Sequence, residues 1–207
     1  MTESTEFILI RDWLAAQPDL IAISIALIAF VESLALVGVI VPGVVMLAAA
    51  SMVAGTGLLT LPAALFAAFA GAVLGDGVSY WLGAAFKEDI RLMRPFCSHP
   101  EWLDRGELLF RRWGVTSVVV GRFIGPVRPI IPLVAGVLGM PGRQFFTVNI
   151  VSALGWAPVY VLPWYLLGAN VKSAFTSPSL MLAFAALIAA MSGLLWWIRR
   201  HFAGRPQ

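Results

Sequence analysis

Four charged side chains lie inside otherwise apolar stretches of this 207-residue chain: Glu32, Asp76, Arg122 and Arg128. A charge at the centre of a bilayer costs at least about 2.5 kcal/mol, so such residues are expected to pair or to line a wet cavity. Two guanidinium groups can hold a phosphate through paired hydrogen bonds. Carboxylates in such surroundings can balance the arginines or relay protons. These residues therefore predict either an anion-binding site or two structural salt bridges.

The backbone around the arginines favours the anion-binding interpretation. The two arginines lie six residues apart, on either side of a Gly-Pro pair that a continuous helix would not accommodate. Bent backbone leaves amide groups free to bind an anion. A Pro-Gly pair interrupts the first long apolar segment in the same way. The predicted breaks or hinges are Pro42, Gly43, Gly125 and Pro126.

Three further residues are candidate neighbours of this site: Tyr80, Asn149 and Trp156. Tyrosine and tryptophan in apolar segments are more typical of anchors at the membrane interface. The aromatic residues interpreted in this way are Tyr80, Trp81, Trp156, Trp164, Trp196 and Trp197. Asn149 in a membrane helix is typical of a hydrogen bond to another helix, with contact to the site as the alternative.

Composition identifies the kind of protein. Of the residues, 60% are hydrophobic and only 12% are charged, whereas soluble domains carry about a quarter charged residues. The chain is therefore predicted to be an integral membrane protein of the all-α class. Its 2 histidines and 1 cysteine exclude a disulfide framework and a Cys/His zinc cluster, and no metal or cofactor is expected. No catalytic Ser/His pair falls at membrane depth, so an enzyme is not expected. A dispersed net charge of +3 argues against nucleic-acid binding.

The apolar pattern predicts two repeats. Segments 20–55 and 115–140 are too short for two crossings of about 20 residues each, and each is broken by proline and glycine, so re-entrant helical hairpins fit better. Ala54-Gly55 and Ala135-Gly136 also lie at matching places, which indicates an inverted repeat. The predicted parts are an interfacial helix 1–19, repeat 20–86 with span 58–85, polar loop 87–113, repeat 114–169 with span 145–169, span 179–198 and tail 199–207.

Charge placement predicts the orientation. Six of the lysines and arginines fall in 87–113, three in the tail 199–207, and Arg143 in the turn after the second hairpin. Lysine and arginine favour the cytoplasmic side, so these parts and the C-terminus are expected inside and the N-terminus outside. No cleavable signal peptide is expected, because the charged residues among the first 19 are four acids and a single arginine. Within the loop, Ser98-His99-Pro100-Glu101 predicts a capping box with proline at the first position of an interfacial helix that stops at Gly114.

Several motifs in order resemble the DedA family, also described by the VTT or SNARE-associated domain. They are Glu32…Val41-Pro42-Gly43, Gly75-Asp76…Tyr80-Trp81-Leu82-Gly83, Gly121-Arg122-Phe123-Ile124-Gly125-Pro126-Val127-Arg128, Ala135-Gly136 with Met140, and Phe146…Asn149…Gly155-Trp156. The resemblance implies two opposed re-entrant hairpins and movement of lipids between leaflets of the bacterial inner membrane. It also implies functional roles for Glu32, Arg122 and Arg128, and matches Asp76 to the family's Gly-Asp motif. Proposed cargoes are undecaprenyl phosphate and phospholipids.

One position departs from the family pattern. Many members carry an acidic residue directly after the Pro-Gly pair, where this chain has Val44. The departure favours an uncoupled scramblase, or proton coupling through Glu32 or Asp76 alone.

The leading prediction is a flippase or scramblase of a phosphate-headed lipid, with anionic headgroups as partners and a homo-oligomer left open. Arg122 and Arg128 would bind the phosphate, and Glu32 and Asp76 would balance charge or carry protons. The alternatives are a proton- or cation-coupled transporter of small solutes, and a non-transport scaffold whose buried salt bridges are structural.

Overall fold

The computed structural model describes residues 13, 16–35, 37–38, 43–94, 96–123 and 128–170. These residues form α-helices and no strand, which confirms the all-α prediction for this part of the chain. The helices are α1 (Pro18–Ser33), α2 (Gly43–Val53), α3 (Leu61–Phe86), α4 (Pro100–Trp113), α5 (Thr116–Gly121), α6 (Ile130–Val137) and α7 (Gly142–Ala169). A π-helical turn, Ala54–Leu58, extends α2, and a 3-10 helix, Lys87–Leu92, follows α3.

Two of these helices, α3 with 26 residues and α7 with 28, are long and apolar enough to cross a membrane. At 1.5 Å per residue each measures about 40 Å, which exceeds the roughly 30 Å hydrocarbon core. They lie at the predicted spans 58–85 and 145–169, displaced by up to three residues at their first residues. The predicted span 179–198 and tail 199–207 lie outside the described residues, as does most of the predicted helix 1–19.

The two predicted hairpin segments each contain a pair of short helices. In segment 20–55, α1 ends at Ser33 and α2 begins at Gly43; in segment 115–140, α5 ends at Gly121 and α6 begins at Ile130. Pro18 begins α1, in keeping with the preference of proline for the first helical turn.

The start of α4 differs from the prediction. His99, not Ser98, precedes the first helical residue, and no side-chain hydrogen bond caps the helix. The capping-box prediction is wrong because Ser98 does not cap the helix, whereas Pro100 is the first helical residue as predicted and Glu101 is the second. There the Glu101 carboxylate lies 3.1 Å from His99 Nδ1. Gly114 ends the helix as predicted, with a φ of 55° that glycine adopts readily.

Helix α3 lies at the centre of the fold and packs against α1, α6 and α7, while α2 packs against α7. Small residues permit these approaches, as is usual between membrane helices. At Gly71 and Gly75 of α3, an added methyl group would collide with the carbonyl groups of Ala26 and Phe30 in α1. This close contact places the C-terminal end of α1 beside the middle of α3, where Asp76 lies.

Candidate functional site

The four charged residues predicted at membrane depth are all buried and form two ion pairs. Arg122 pairs with Asp76, and Arg128 pairs with Glu32. None of the four is more than 6% exposed. Each pair joins an acid from the first predicted repeat to an arginine from the second, so the two repeats meet at these charges.

Asn149 ties the first pair to two long helices. Its side-chain oxygen accepts a hydrogen bond from Arg122, and its amide nitrogen donates to the Val73 carbonyl at 3.2 Å. Asp76 lies within α3 and Asn149 within α7, so Arg122 is held between the two longest helices. The predicted hydrogen bond between helices is confirmed, and the same side chain contacts the charged cluster.

The second pair connects helix ends. Glu32 is the penultimate residue of α1, and Arg128 lies two residues before α6. Arg128 Nη2 also donates to Ser33 Oγ at 3.3 Å. Gly43, a predicted hinge, packs directly on Glu32: a methyl group there would lie 2.6 Å from Glu32 Cγ. The glycine therefore leaves room for the Glu32 side chain. The other predicted hinges, Pro42, Gly125 and Pro126, lie outside the described residues.

Trp156 lies beside both arginines. Its ring centroid is 4.2 Å from the guanidinium carbon of Arg128 and 6.0 Å from that of Arg122. The side chain is completely buried, so its interpretation as an interfacial anchor is wrong, whereas Trp81 on α3 is 71% exposed. The reason is that Trp156 faces the cluster on α7 and stacks under a cation.

The other candidate neighbour, Tyr80, links α3 to the start of α7. Its hydroxyl donates to the Met140 carbonyl at 2.6 Å, and its ring stacks on Phe145 at 4.2 Å between centroids. These contacts indicate a structural role in seating α7 on α3.

Two serines that the sequence reasoning did not identify support the site: Ser33, which accepts a hydrogen bond from Arg128, and Ser79. The Ser79 hydroxyl accepts a hydrogen bond from the Ala35 amide at 2.9 Å and lies 3.1 Å from the Ser33 carbonyl. Because Ser79 is three residues after Asp76, both side chains lie on the same side of α3. This three-residue spacing was the sequence signal that could have identified Ser79. The serine fixes the end of α1 that carries Glu32.

The cluster contains hydrogen-bonding capacity that the described residues do not use. Five buried side-chain atoms have no hydrogen-bond partner there: Glu32 Oε2, Ser51 Oγ, Arg122 Nη1, Arg128 Nε and Trp156 Nε1. Buried polar groups are normally paired, so such atoms call for an explanation. Four of the five belong to the ion pairs or to Trp156 beside them, and three of those four are N–H donors. The site is therefore rich in unused donors, as an anion-binding site should be.

A metal does not account for these atoms. Among the described residues, no three histidine, cysteine, aspartate or glutamate side chains are grouped so that they could hold a metal ion. Three of the four unpartnered atoms in the cluster are N–H donors, which do not coordinate a metal ion.

The chain is similar to known bacterial membrane proteins. The chain is 40% identical over 148 residues to inner membrane protein YabI of Escherichia coli, covering 72% of this chain and 58% of the relative. It is 32% identical over 172 residues to an uncharacterized membrane protein of Buchnera aphidicola, covering 83% and 66%. It thus spans about three fifths of the length of these relatives. No solved structure matches.

The family assignment rests on a match to a family model. Residues 41–166 match the VTT domain, which is more than half of the chain and includes three of the four buried charges. The resemblance to the DedA family is confirmed, and the relatives are membrane proteins by name. The chain therefore belongs to the VTT-domain, or DedA, family of membrane proteins.

Proposed function

We propose that this protein is a lipid transporter, not an enzyme, that moves a phosphate-headed lipid between the leaflets of the bacterial inner membrane. Undecaprenyl phosphate and phospholipids are the candidate cargoes. Arg122 and Arg128 bind the phosphate, and Glu32 and Asp76 balance the arginines while the site is empty. The observation that carries the proposal is the pair of buried guanidinium groups beside one indole ring, with unused N–H donors on both.

Transport requires the cluster to open. The four charged side chains are buried, so a lipid headgroup reaches them only when the surrounding helices move apart. The helices of the two hairpin segments are short: α1 has 16 residues, α2 has 11, α5 has 6 and α6 has 8. Helices α2, α5 and α6 are too short to span a bilayer. We propose that the pairs α1–α2 and α5–α6 are re-entrant hairpins that move against α3 and α7.

An inverted repeat is supported by two matching glycine contacts. Gly55 and Gly168 would collide with the carbonyls of Tyr165 and Met52 if either carried a methyl group, which joins the end of α2 to the end of α7. Gly136 and Gly83 would likewise collide with the carbonyls of Tyr80 and Leu133 if either carried a methyl group, which joins α6 to α3.

The two contacts share one arrangement. In each case the second helix of one hairpin packs on the long helix of the other repeat. Each glycine contacts the carbonyl of the residue that lies three positions before the other glycine of its pair. This correspondence extends the predicted match between Ala54-Gly55 and Ala135-Gly136 from sequence to packing.

Orientation can be tested with a cysteine that the chain already has. Cys97 is the single cysteine of the sequence, and it is exposed in the basic loop expected to face the cytoplasm. A membrane-impermeant maleimide should label it in inside-out vesicles and not in intact spheroplasts. Labelling from the outside would reverse the proposed topology.

The central experiment measures leaflet exchange. Purified protein is reconstituted in liposomes with a fluorescent phosphate-headed lipid, and exchange is followed by quenching from the outside. Arg122→Ala and Arg128→Ala should each reduce exchange at least about tenfold, since one lost charge-assisted contact is worth about 1.5–3 kcal/mol. Arg105→Ala, at an exposed position of α4, is the matched control and should exchange normally. Equal exchange in all four proteins would exclude the proposal.

A second candidate, a scaffold without transport, is favoured by one observation: both ion pairs are formed in this structure. Formed pairs could hold the helices together without any ligand. The unused donor atoms beside them argue for the transporter, because a purely structural cluster gains nothing from unpaired N–H groups.

A further inference from the structure

The indole N–H of Trp156 has no structural use that the described residues reveal. Trp156 is completely buried on α7, and its Nε1 atom has no hydrogen-bond partner among the described residues. An indole nitrogen is a donor only, so it requires an acceptor. Buried tryptophans usually find one. The acceptor must therefore come from something other than the described residues.

We infer that Trp156 is a third anion-binding residue of the cluster, and that its N–H donates to the phosphate that Arg122 and Arg128 bind. The inference rests on the proposed function, because it needs a phosphate at the arginines. Both guanidinium carbons lie within 6.0 Å of the indole centroid, so the three side chains form one buried cluster in which a phosphate would bind.

The unused donors fit the ligand. Arg122 Nη1, Arg128 Nε and Trp156 Nε1 are three separate N–H groups, and a terminal phosphate offers three strong acceptor oxygens. The unused acceptor, Glu32 Oε2, would repel a bare anion, and a protonated phosphate oxygen could donate to it. Donors outnumber this acceptor three to one at the charged residues and Trp156, which favours an anion over a cation.

The alternative role for Trp156 is that of a platform under Arg128. Tryptophan is the best aromatic partner for a cation, but phenylalanine also serves, and neither uses an N–H group. The two roles therefore separate when the N–H alone is removed. Replacement of Trp156 by 3-benzothienylalanine does this, because sulfur takes the place of the N–H in a ring of nearly the same shape.

The test measures binding by the full chain in a neutral sugar detergent, which adds no phosphate. The probes are farnesyl phosphate, farnesol and inorganic phosphate. The benzothienylalanine protein and Trp156→Phe should bind farnesyl phosphate at least about tenfold more weakly than the unaltered protein, with farnesol binding unchanged. Trp81→Phe, at a 71% exposed position of α3, is the matched control and should bind normally.

The outcomes separate the two proposals. Unchanged farnesyl phosphate affinity in the benzothienylalanine protein would overturn the role of Trp156 while leaving the proposed function standing. Equal affinity of the unaltered protein for farnesyl phosphate and farnesol would overturn both. If inorganic phosphate binds as tightly as farnesyl phosphate and is weakened equally, the Trp156 inference holds and the ligand is free phosphate, which contradicts lipid transport.

Discussion

The two buried ion pairs of this protein are held in different ways. Asp76 lies in the middle of α3, and its partner Arg122 is bound by Asn149 of α7, so the first pair is fixed to both long helices. Glu32 and Arg128 lie at or near the ends of short helices, and Arg128 rests on the ring of Trp156.

The difference suggests a division of roles. A residue in the middle of a long helix moves only when the whole helix moves, whereas a residue at the end of a short helix can be displaced by local rearrangement. We therefore expect Asp76–Arg122 to anchor the site and Glu32–Arg128 to separate when a lipid headgroup enters.

A third ion pair, at the surface, provides a reference for both. Arg91 in the 3-10 helix lies 2.9 Å from Asp104 and 2.5 Å from Glu107 in α4, with 36% of its side chain exposed. The hydrogen bond with Asp104 is the main cause that raises the pKa of Arg91 above its ordinary value. Such exposed pairs contribute about 0–1 kcal/mol.

The largest expected effect comes from breaking the anchoring pair. Asp76→Ala leaves Arg122 buried without its carboxylate, and a broken buried pair lowers the free energy of unfolding by about 3–5 kcal/mol. Asp104→Ala, the surface control, should lower it by less than about 1 kcal/mol. Denaturant unfolding in detergent measures both. Equal losses for the two variants would show that the Asp76–Arg122 pair does not anchor the fold.

Asn149→Ala tests whether the anchor depends on its amide. The change removes the acceptor of Arg122 and the donor to the Val73 carbonyl, so the free energy of unfolding should fall by about 1–3 kcal/mol. Ser152→Ala is the matched control, since Ser152 is buried on the same helix and, among the described residues, its hydroxyl donates to the Asn149 carbonyl alone. If Ser152→Ala is as damaging as Asn149→Ala, the link from α7 to the first pair is unimportant.

Gly43→Ala attacks the second pair without changing a charge. The added methyl group would displace Glu32 from Arg128, because it would lie 2.6 Å from Glu32 Cγ. We expect the free energy of unfolding to fall by about 1 kcal/mol, at the low end for overpacking, because the Glu32 side chain can shift. Leaflet exchange should be clearly reduced. Gly155→Ala, where a methyl group meets nothing within 4 Å, should leave both unchanged. Normal exchange by Gly43→Ala would mean that the position of Glu32 is not critical.

The sequence predicted the buried charges well, because a charged residue in an apolar stretch stands out whatever the fold. It did not predict which acid meets which arginine, since the partners are 46 and 96 residues apart and meet only when the two predicted repeats pack together. Trp156 was misinterpreted for a related reason. Composition cannot distinguish a tryptophan facing lipid from one facing a cation, and only the facing side of α7 decides this.

The two long helices were predicted to within a few residues because their apolar runs match the membrane thickness. The N-cap of α4 was not, because Ser98 and His99 both lie just before Pro100, and only the backbone conformation decides which of them is the N-cap. Ser79 escaped notice because a serine in a membrane helix most often bonds its own backbone. Its contact with the end of α1 depends on the close approach at Gly75.

The most direct test of the central claim is an exchange of charges within the second pair. Glu32→Arg and Arg128→Glu should each destabilise the protein, and combining them should restore the ion pair and most of the free energy of unfolding. Leaflet exchange of a labelled phosphate-headed lipid should stay lost in the double variant, because a carboxylate would replace the guanidinium beside Trp156. Recovery of exchange together with stability would show that the buried charges are structural and would contradict the proposed phosphate site.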